Sequence, residues 1–242
     1  MKNKYTYIWV SLVVLVFGII FIPRIIDRIK GGTVTENTRI NISEEAQNPL
    51  EYLTYNGKKR KVPAFSFLNQ DSLLISNKDY LGKVYVVEFF FTTCPSICPI
   101  MNKNLVQLQE EFREFDNFGV ASFTINPEYD TPMVLKEYAE KYGITDLDWN
   151  LMTGDQEKIY DLANVGFNIF AASSPDVPGG FEHSGLFALV DRNGYLRSRK
   201  DPYGNPIIYY RGTISEEQGV NSEGEEEQIS ILKEDIKKLL LE

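Results

Sequence analysis

The run "KVYVVEFFFTT", Lys83 to Thr93, constrains the fold more than any other stretch of the chain. It is continuous, apolar and rich in β-branched and aromatic residues. A strand with one wet face alternates, so a run of this kind fits a strand covered on both faces. Such a strand needs helices above and below it, and the segments that follow supply them. Met101, Leu105, Leu108, Phe112 and Phe115 recur at steps of 4, 3, 4 and 3, while Asn102, Lys103, Gln107, Glu110 and Arg113 fill the opposite face of the same helix. "GVASFTINP" then reads as a strand. "DTPMVLKEYAEKYG" reads as a helix with Asp130 or Thr131 as cap, Pro132 in its first turn and Gly143 at its end.

"WNLMTG" is a further short strand, and "DQEKIYDLANVGF" a helix with Ile159, Leu162, Ala163 and Gly166 inward. After a Pro/Gly loop, "ASSPDVPGGFEHS", the segments "LFALVD" and "YLRSR" form a hairpin about Asn193-Gly194, and "PIIYYRGT" extends or pairs with that sheet. A closing helix carries Ile229, Leu232, Ile236, Leu239 and Leu240 on one stripe. Upstream, Val62, Ala64, Ser66 and Leu68, then Leu73 and Ile75, alternate about "NQDS" as a β-hairpin. The order β-hairpin, β, α, β, α, β, α, β, β, α implies an α/β fold: a central sheet with parallel pairs, flanked by helices on both faces. In such a sheet a site is expected at the carboxyl ends of the parallel strands.

The ends of the chain differ in character. Tyr7 to Ile22 carries no charge, and about 16 residues is the short edge of what spans a bilayer. Its exit, "FIPRIIDRIK", offers no small-residue cleavage site, so the segment reads as an uncleaved transmembrane anchor rather than a signal peptide. Lysines and arginines lie on both sides of it, and charge alone leaves its sidedness open. The division expected is an anchor over 1–30, a polar tether over 31–59 and a domain over 60–242. The acidic stretch from Ser215 to Gln228 reads as a solvated loop. A net charge of -9 argues against nucleic acid as a partner.

The chemistry concentrates in "TTCPSICPIM", which holds both cysteines, Cys94 and Cys98. A disulfide needs Cβ atoms about 3.8 Å apart. Positions i and i+4 of a regular helix hold theirs about 5 to 6 Å apart, a spacing better suited to two thiolates on one metal. Pro99 disfavours helical geometry at Cys98, so the helix is expected to start at Pro99 with Cys98 as its cap, and a disulfide becomes feasible again. Either way Cys98 lies near a helix N-terminus, where the thiolate is favoured. The other use of such residues is as inert core filler, for which a strand-end loop with a proline after each cysteine is a poor setting. His183, the only histidine, stands in "GGFEHSGLFALVD" just before a predicted central strand, and hence at the same sheet edge. Two thiolates and an imidazole form a soft donor set suited to copper, with zinc as the chemical rival.

"DYLGKVYVVEFFFTTCPSICPIM", "TINPEYDTP" and "HSGLFALVDRNGYL" together resemble the Sco/SenC family, thioredoxin-fold, membrane-anchored copper chaperones of cytochrome c oxidase assembly. The resemblance covers roughly residues 60 to 240, and its specific part is C-x-x-x-C-P with a distant histidine. It implies that Cys94, Cys98 and His183 bind one copper ion, Cu(I) or Cu(II), for the oxidase subunit that carries the dinuclear copper centre. It also implies an amino terminus in the bacterial cytoplasm and a domain on the extracytoplasmic (periplasmic) side of the membrane. Asn126 stands where the family commonly has Asp, and Glu182 where it often has Asp before the histidine; with Asp130 these are the expected neighbours of the ligands. The rival from another class is a thiol–disulfide reductase that prepares the oxidase cysteines for metal. General reductases of this fold typically carry C-x-x-C and a proline before the strand here begun by Leu186, where this chain has C-x-x-x-C and Ser184-Gly185.

Overall fold

The computed structural model describes residues 49–242 and, before them, positions 11, 12, 14, 15 and 17, which are helical. The chain divides into Met1–Asn48 and Pro49–Glu242. Among the described residues no helix is long and apolar enough to cross a membrane. The rest of the expected anchor, and the tether as far as residue 48, lie outside the described residues.

In chain order the second unit holds β1 (Glu51–Tyr52), β2 (Thr54–Tyr55), β3 (Lys58–Lys59), β4 (Ser66–Asn69), β5 (Leu74–Ser76) and β6 (Val84–Phe90). Then come α1 (Cys98–Phe112), β7 (Phe118–Thr124), α2 (Pro132–Tyr142), β8 (Trp149–Thr153) and α3 (Gln156–Asp161), which runs into a π-helical turn over Leu162–Phe167. The last elements are β9 (Ala171–Ser173), β10 (Phe181–His183), β11 (Leu186–Val190), β12 (Leu196–Ser198), β13 (Tyr210–Arg211) and α4 (Ile229–Leu241). The main sheet runs β1-β12-β11-β6-β7-β8-β4-β5, with β13 on the edge of β11. β6, β7 and β8 are parallel and their other neighbours antiparallel, giving a mixed sheet.

β6 is buried at every residue, as its sequence requires of a strand covered on both faces. Its alternate side chains meet different elements. Phe90 packs on Tyr138 of α2, and Phe89 on Phe167 of the π-helical turn, with ring centroids 5.5 and 5.8 Å apart. α4 runs beside α1, joined by Lys237 to Glu111, and buries the apolar stripe expected of it. In α2, the Thr131 hydroxyl accepts from the Val134 N–H, and Gly143 closes the helix at φ 71°, a conformation glycine adopts without strain.

The structure corrects four local expectations. Residues 49–59, assigned to the tether, belong to the folded unit: β1 pairs with β12, and Leu50 and Leu53 are buried. The β2–β3 hairpin in that stretch turns on Asn56-Gly57, both at positive φ, the pairing that two-residue hairpins favour. The β4–β5 hairpin forms, but its inward residues are Phe65, Phe67 and Asn69, whereas Ala64, Ser66 and Leu68 face out. The two aromatics decide the face, because each packs on Phe123, with centroids 5.1 and 5.8 Å away. The Pro/Gly loop contains the antiparallel pair β9–β10.

The acidic segment is also more ordered than a solvated loop. Glu216 pairs with Lys233, Glu217 with Lys103 and Glu225 with Arg211, while the Glu227 carboxylate accepts from the N–H groups of Ile229 and Ser230 at the start of α4. A basic run, Lys58 to Lys61, borders a groove of about 1240 Å³ between β2–β3 and α3. Lys59 and Lys61 sit over the rings of Tyr52 and Tyr195, and Arg60 donates to Tyr209 Oη and the Gly166 carbonyl. This groove lies apart from both cysteines.

The reversed face of the β4–β5 hairpin is open to test. Phe67→Ala is expected to cost about 3–5 kcal/mol in urea unfolding, as for a buried aromatic. Leu68→Ala, one residue along on the exposed side, is expected to fall within about 0.5 kcal/mol of wild type.

Candidate metal centre

The site begins where β6 ends. Asp130 anchors the chain just past that strand: its carboxylate accepts from the N–H and hydroxyl of Thr92 and from the hydroxyl of Thr124 at the end of β7. Burial is the largest influence on Asp130 and pushes its pKa up, while these hydrogen bonds pull the other way. Asn126 completes the turn with its backbone, its carbonyl accepting from the N–H groups of Tyr129 and Asp130. The Thr92–Thr93 approach to Cys94 is thereby tied to the ends of two parallel strands.

Cys98 is the first residue of α1, with Ile97 as the capping residue, one position earlier than the sequence reading placed the helix. Pro99 in the first turn costs α1 no hydrogen bond, since the N–H it lacks has no intrahelical partner there. Ile97 offers no side-chain cap. The Cys94 Sγ serves instead, accepting from the Cys98 N–H at 3.4 Å. A sulfur in that position is held as thiolate by the positive end of the helix.

Cys94 is accordingly lowered to about 3. A hydrogen bond from the Cys98 thiol is the largest cause, and bonds from His183 and from the N–H groups of Cys98 and Ser96 add to it against burial. Cys98 moves the opposite way, raised first by giving its proton to Cys94 and then by burial. The reduced pair is therefore one thiolate and one thiol.

His183 is delivered by the β9–β10 hairpin, whose register sets it opposite Ala171. Gly179, at φ 91° in the turn, lies against Phe91 and Pro95; a Cβ there would come within 2.9 Å of the Phe91 ring. That close approach folds the hairpin over the cysteine loop. Phe91 also packs on Phe181 and, edge-on at 6.0 Å, on the His183 ring. The imidazole Nε2 lies 3.2 Å from Cys98 Sγ.

The ligand atoms of Cys94, Cys98 and His183 all lie within 4.8 Å of one another, and all three residues are buried. Both cysteines are free. Two soft sulfurs and one imbedded imidazole at this spacing fit a copper ion; tetrahedral structural zinc asks for a fourth protein ligand. Among the described residues no fourth ligand joins the group. Of the expected neighbours, Asp130 positions the Cys94 loop, Asn126 contributes through its backbone, and Glu182 is exposed on the outer side of β10.

The sequence reading passed over Phe91, Gly179 and Asn102. Asn102 was assigned to the polar face of its helix, but it is fully buried, and its Nδ2 bridges the Cys98 carbonyl and the Tyr138 hydroxyl. Its place four residues after Cys98 on the same helix was the available signal.

The fold and site together define a mixed α/β domain with a Cys2His centre at the carboxyl edge of its parallel strands. The SCO1/SenC family model matches residues 54–213, and the chain belongs to that family. It is 30% identical over 153 residues to the SCO1 protein homolog of Bacillus subtilis (strain 168), covering 62% of this chain and 75% of that protein. A solved structure of BsSco, a member of the Sco family of cytochrome c oxidase assembly proteins in which a disulfide switch was identified, superposes with a TM-score of 0.61 at 26% identity, covering 80% of this chain and 98% of that one. Copper-bound yeast Sco1 shares the fold, with a TM-score of 0.51 at 21% identity over 74% of this chain and 89% of that one. The thioredoxin-like arrangement implied by the resemblance is thus the one observed.

Removing the Asp130 anchor should loosen the Cys94 loop. Asp130→Ala is expected to weaken Cu(I) binding by about 10- to 100-fold in competition with a Cu(I) chelator. Asp130→Asn, which keeps an acceptor for the Thr92 N–H, should lose less.

Proposed function

We propose that this protein is a membrane-anchored copper chaperone that loads the dinuclear copper centre of cytochrome c oxidase, copper being its cargo. The observation that carries the reading is the convergence of the Cys94–Cys98 loop and the distant His183 into one buried group. Membership of the SCO1/SenC family supports it, and so does the place of BsSco among the cytochrome c oxidase assembly proteins. In this reading the apolar segment from Tyr7 to Ile22 holds the chain in the bacterial cytoplasmic membrane, with the domain on the extracytoplasmic side facing the copper-bearing oxidase subunit.

The chain's own residues explain how cargo is taken and released. Cys94 is a thiolate before copper arrives, held by the α1 N–H and by Cys98. Cys98 must surrender its proton to become the second sulfur ligand, and His183 Nε2 already points at that sulfur. A bound copper ion replaces the proton shared by the two sulfurs. An acceptor with matching thiolates can then take the ion by ligand exchange, one sulfur at a time.

A second reading, a dedicated thiol–disulfide reductase for the oxidase cysteines, is favoured by one feature. A low-pKa thiolate beside a thiol is the arrangement that attacks a disulfide and then resolves the mixed intermediate.

Metal analysis of the reduced full chain separates the readings. Wild type is expected to hold one Cu(I), whereas Cys98→Ser and His183→Ala should each weaken binding by orders of magnitude; unchanged affinity in either variant defeats the chaperone reading. Disulfide reduction that survives His183→Ala would favour the reductase. Loading should also release about one proton per Cu(I) near neutral pH, the proton of Cys98. Calorimetry in buffers of different ionisation enthalpy counts it.

A further inference from the structure

Across most of the domain, basic side chains meet carboxylates: Lys83 meets Asp148, Lys200 meets Glu51, Arg211 meets Glu225 and Lys233 meets Glu216. The groove between β2–β3 and α3 is different. Lys58, Lys59, Arg60, Lys61 and Lys158 all line it, and among the described residues no carboxylate pairs with any of them. Asp161 is the one acidic residue that lines it with them. In a chain of net charge -9 this is a local reversal of sign.

The local structure holds these cations without cancelling them. The β2–β3 hairpin turns on Asn56-Gly57, which places Lys58 and Lys59 on its return strand. Lys59 and Lys61 rest over the rings of Tyr52 and Tyr195, contacts that steady a lysine and leave its charge in place. Arg60 donates to two neutral oxygens, the Gly166 carbonyl and the Tyr209 hydroxyl, and so ties the hairpin to the π-helical turn on the opposite wall. Lys158 stands exposed on that wall, in α3. The rim also carries apolar tips: Tyr55 is 71% and Val165 77% exposed, one on each wall.

Exposed lysines beside a tyrosine and an aliphatic tip suit a layer of lipid headgroups, where the cations attract phosphates and the apolar ends enter among them. Position in the chain favours such a layer over an acidic polypeptide. β2–β3 is the first hairpin after Pro49, and in the anchored reading residues 22 to 49 keep the domain within about 90 Å of the bilayer even at full extension. A surface tethered that close is met at high effective concentration, so weak contacts suffice.

We propose that the face carrying this groove docks the domain on an anionic phospholipid surface, with Lys58, Lys61 and Lys158 meeting lipid phosphates and Tyr55 and Val165 entering between the headgroups. The choice of a lipid surface rests on the membrane-anchored reading. Because the chain as a whole is acidic, attraction is concentrated on this face and gives the docked domain a preferred orientation. No residue of the groove belongs to the group of Cys94, Cys98 and His183, so docking and copper binding use separate side chains.

The test is lysine footprinting of the full chain, assembled with vesicles by detergent removal, using a membrane-impermeant amine reagent and mass spectrometry. Vesicles of equal parts phosphatidylcholine and phosphatidylglycerol are compared with vesicles of phosphatidylcholine alone. Lys78 and Lys141, exposed away from the groove, are the internal reference. Relative to them, labelling of Lys58, Lys61 and Lys158 is expected to fall about threefold or more on the anionic vesicles only, and to recover in about 0.5 M salt. In the double variant Lys58→Glu, Lys61→Glu, both on exposed side chains, Lys158 should lose its protection. Equal labelling on the two kinds of vesicle overturns the inference. Protection by polyglutamate or by inorganic phosphate, where anionic vesicles give none, also overturns it, in favour of an acidic polypeptide or a free anion. Flotation with neutral vesicles in about 0.5 M salt tests the anchor separately. A chain that does not float there, yet shows the lysine protection on anionic vesicles, loses the anchor and keeps the docking face; a chain that floats without protection does the reverse.

Discussion

Burial of β6 on both faces and both edges is the constraint from which the rest follows. β11 pairs along one side of it and β7 along the other, and every residue from Val84 to Phe90 is inaccessible. A strand so enclosed has one place where its chain can do chemistry, the point at which it leaves the sheet. There the next residues are Phe91, Thr92, Thr93 and Cys94. Phe91 orients the hairpin that brings His183, Thr92 is fixed by Asp130, and Cys94 caps the helix that starts at Cys98. One strand end thus positions all three candidate ligands, although one of them comes from far along the chain.

The two cysteines are chemically unequal because they occupy unequal places on one helix. Cys94 lies before α1 and receives N–H groups; Cys98 lies inside its first turn and donates. Had both sulfurs been ionised without a metal, two buried negative charges would sit within a few ångströms of each other, at a cost of several kcal/mol even in a partly polar interior. Sharing one proton avoids that cost. The same shared proton marks where a cation fits, since a monovalent ion placed between the sulfurs restores the charge balance that the proton provided.

What was legible in the sequence was whatever a periodic pattern records. The unbroken apolar run identified β6, the 3-4 spacing identified α1 and α4, and Asn193-Gly194 located the β11–β12 turn, with Gly194 at φ 79°. The approach of Cys94, Cys98 and His183 at one sheet edge was legible too, because the cysteines follow the end of β6 and the histidine precedes β11. The errors arose where a tertiary contact outweighed the local pattern. In "VPAFSFLN" two interleaved sets of alternating residues compete, and the set containing Phe65 and Phe67 wins because Phe123 waits beneath it. The polar stretch 49–59 joins the fold through backbone pairing, which leaves little trace in hydropathy. Asn102 reads as solvent-facing by type and is buried because it closes a hydrogen bond between the Cys98 turn and α2.

The residues at positions 126 and 182 bear on where this site keeps its charge. Asn126 carries none and acts through its backbone, and Glu182 points to solvent, where water screens it. Neither gives the centre a fixed negative neighbour.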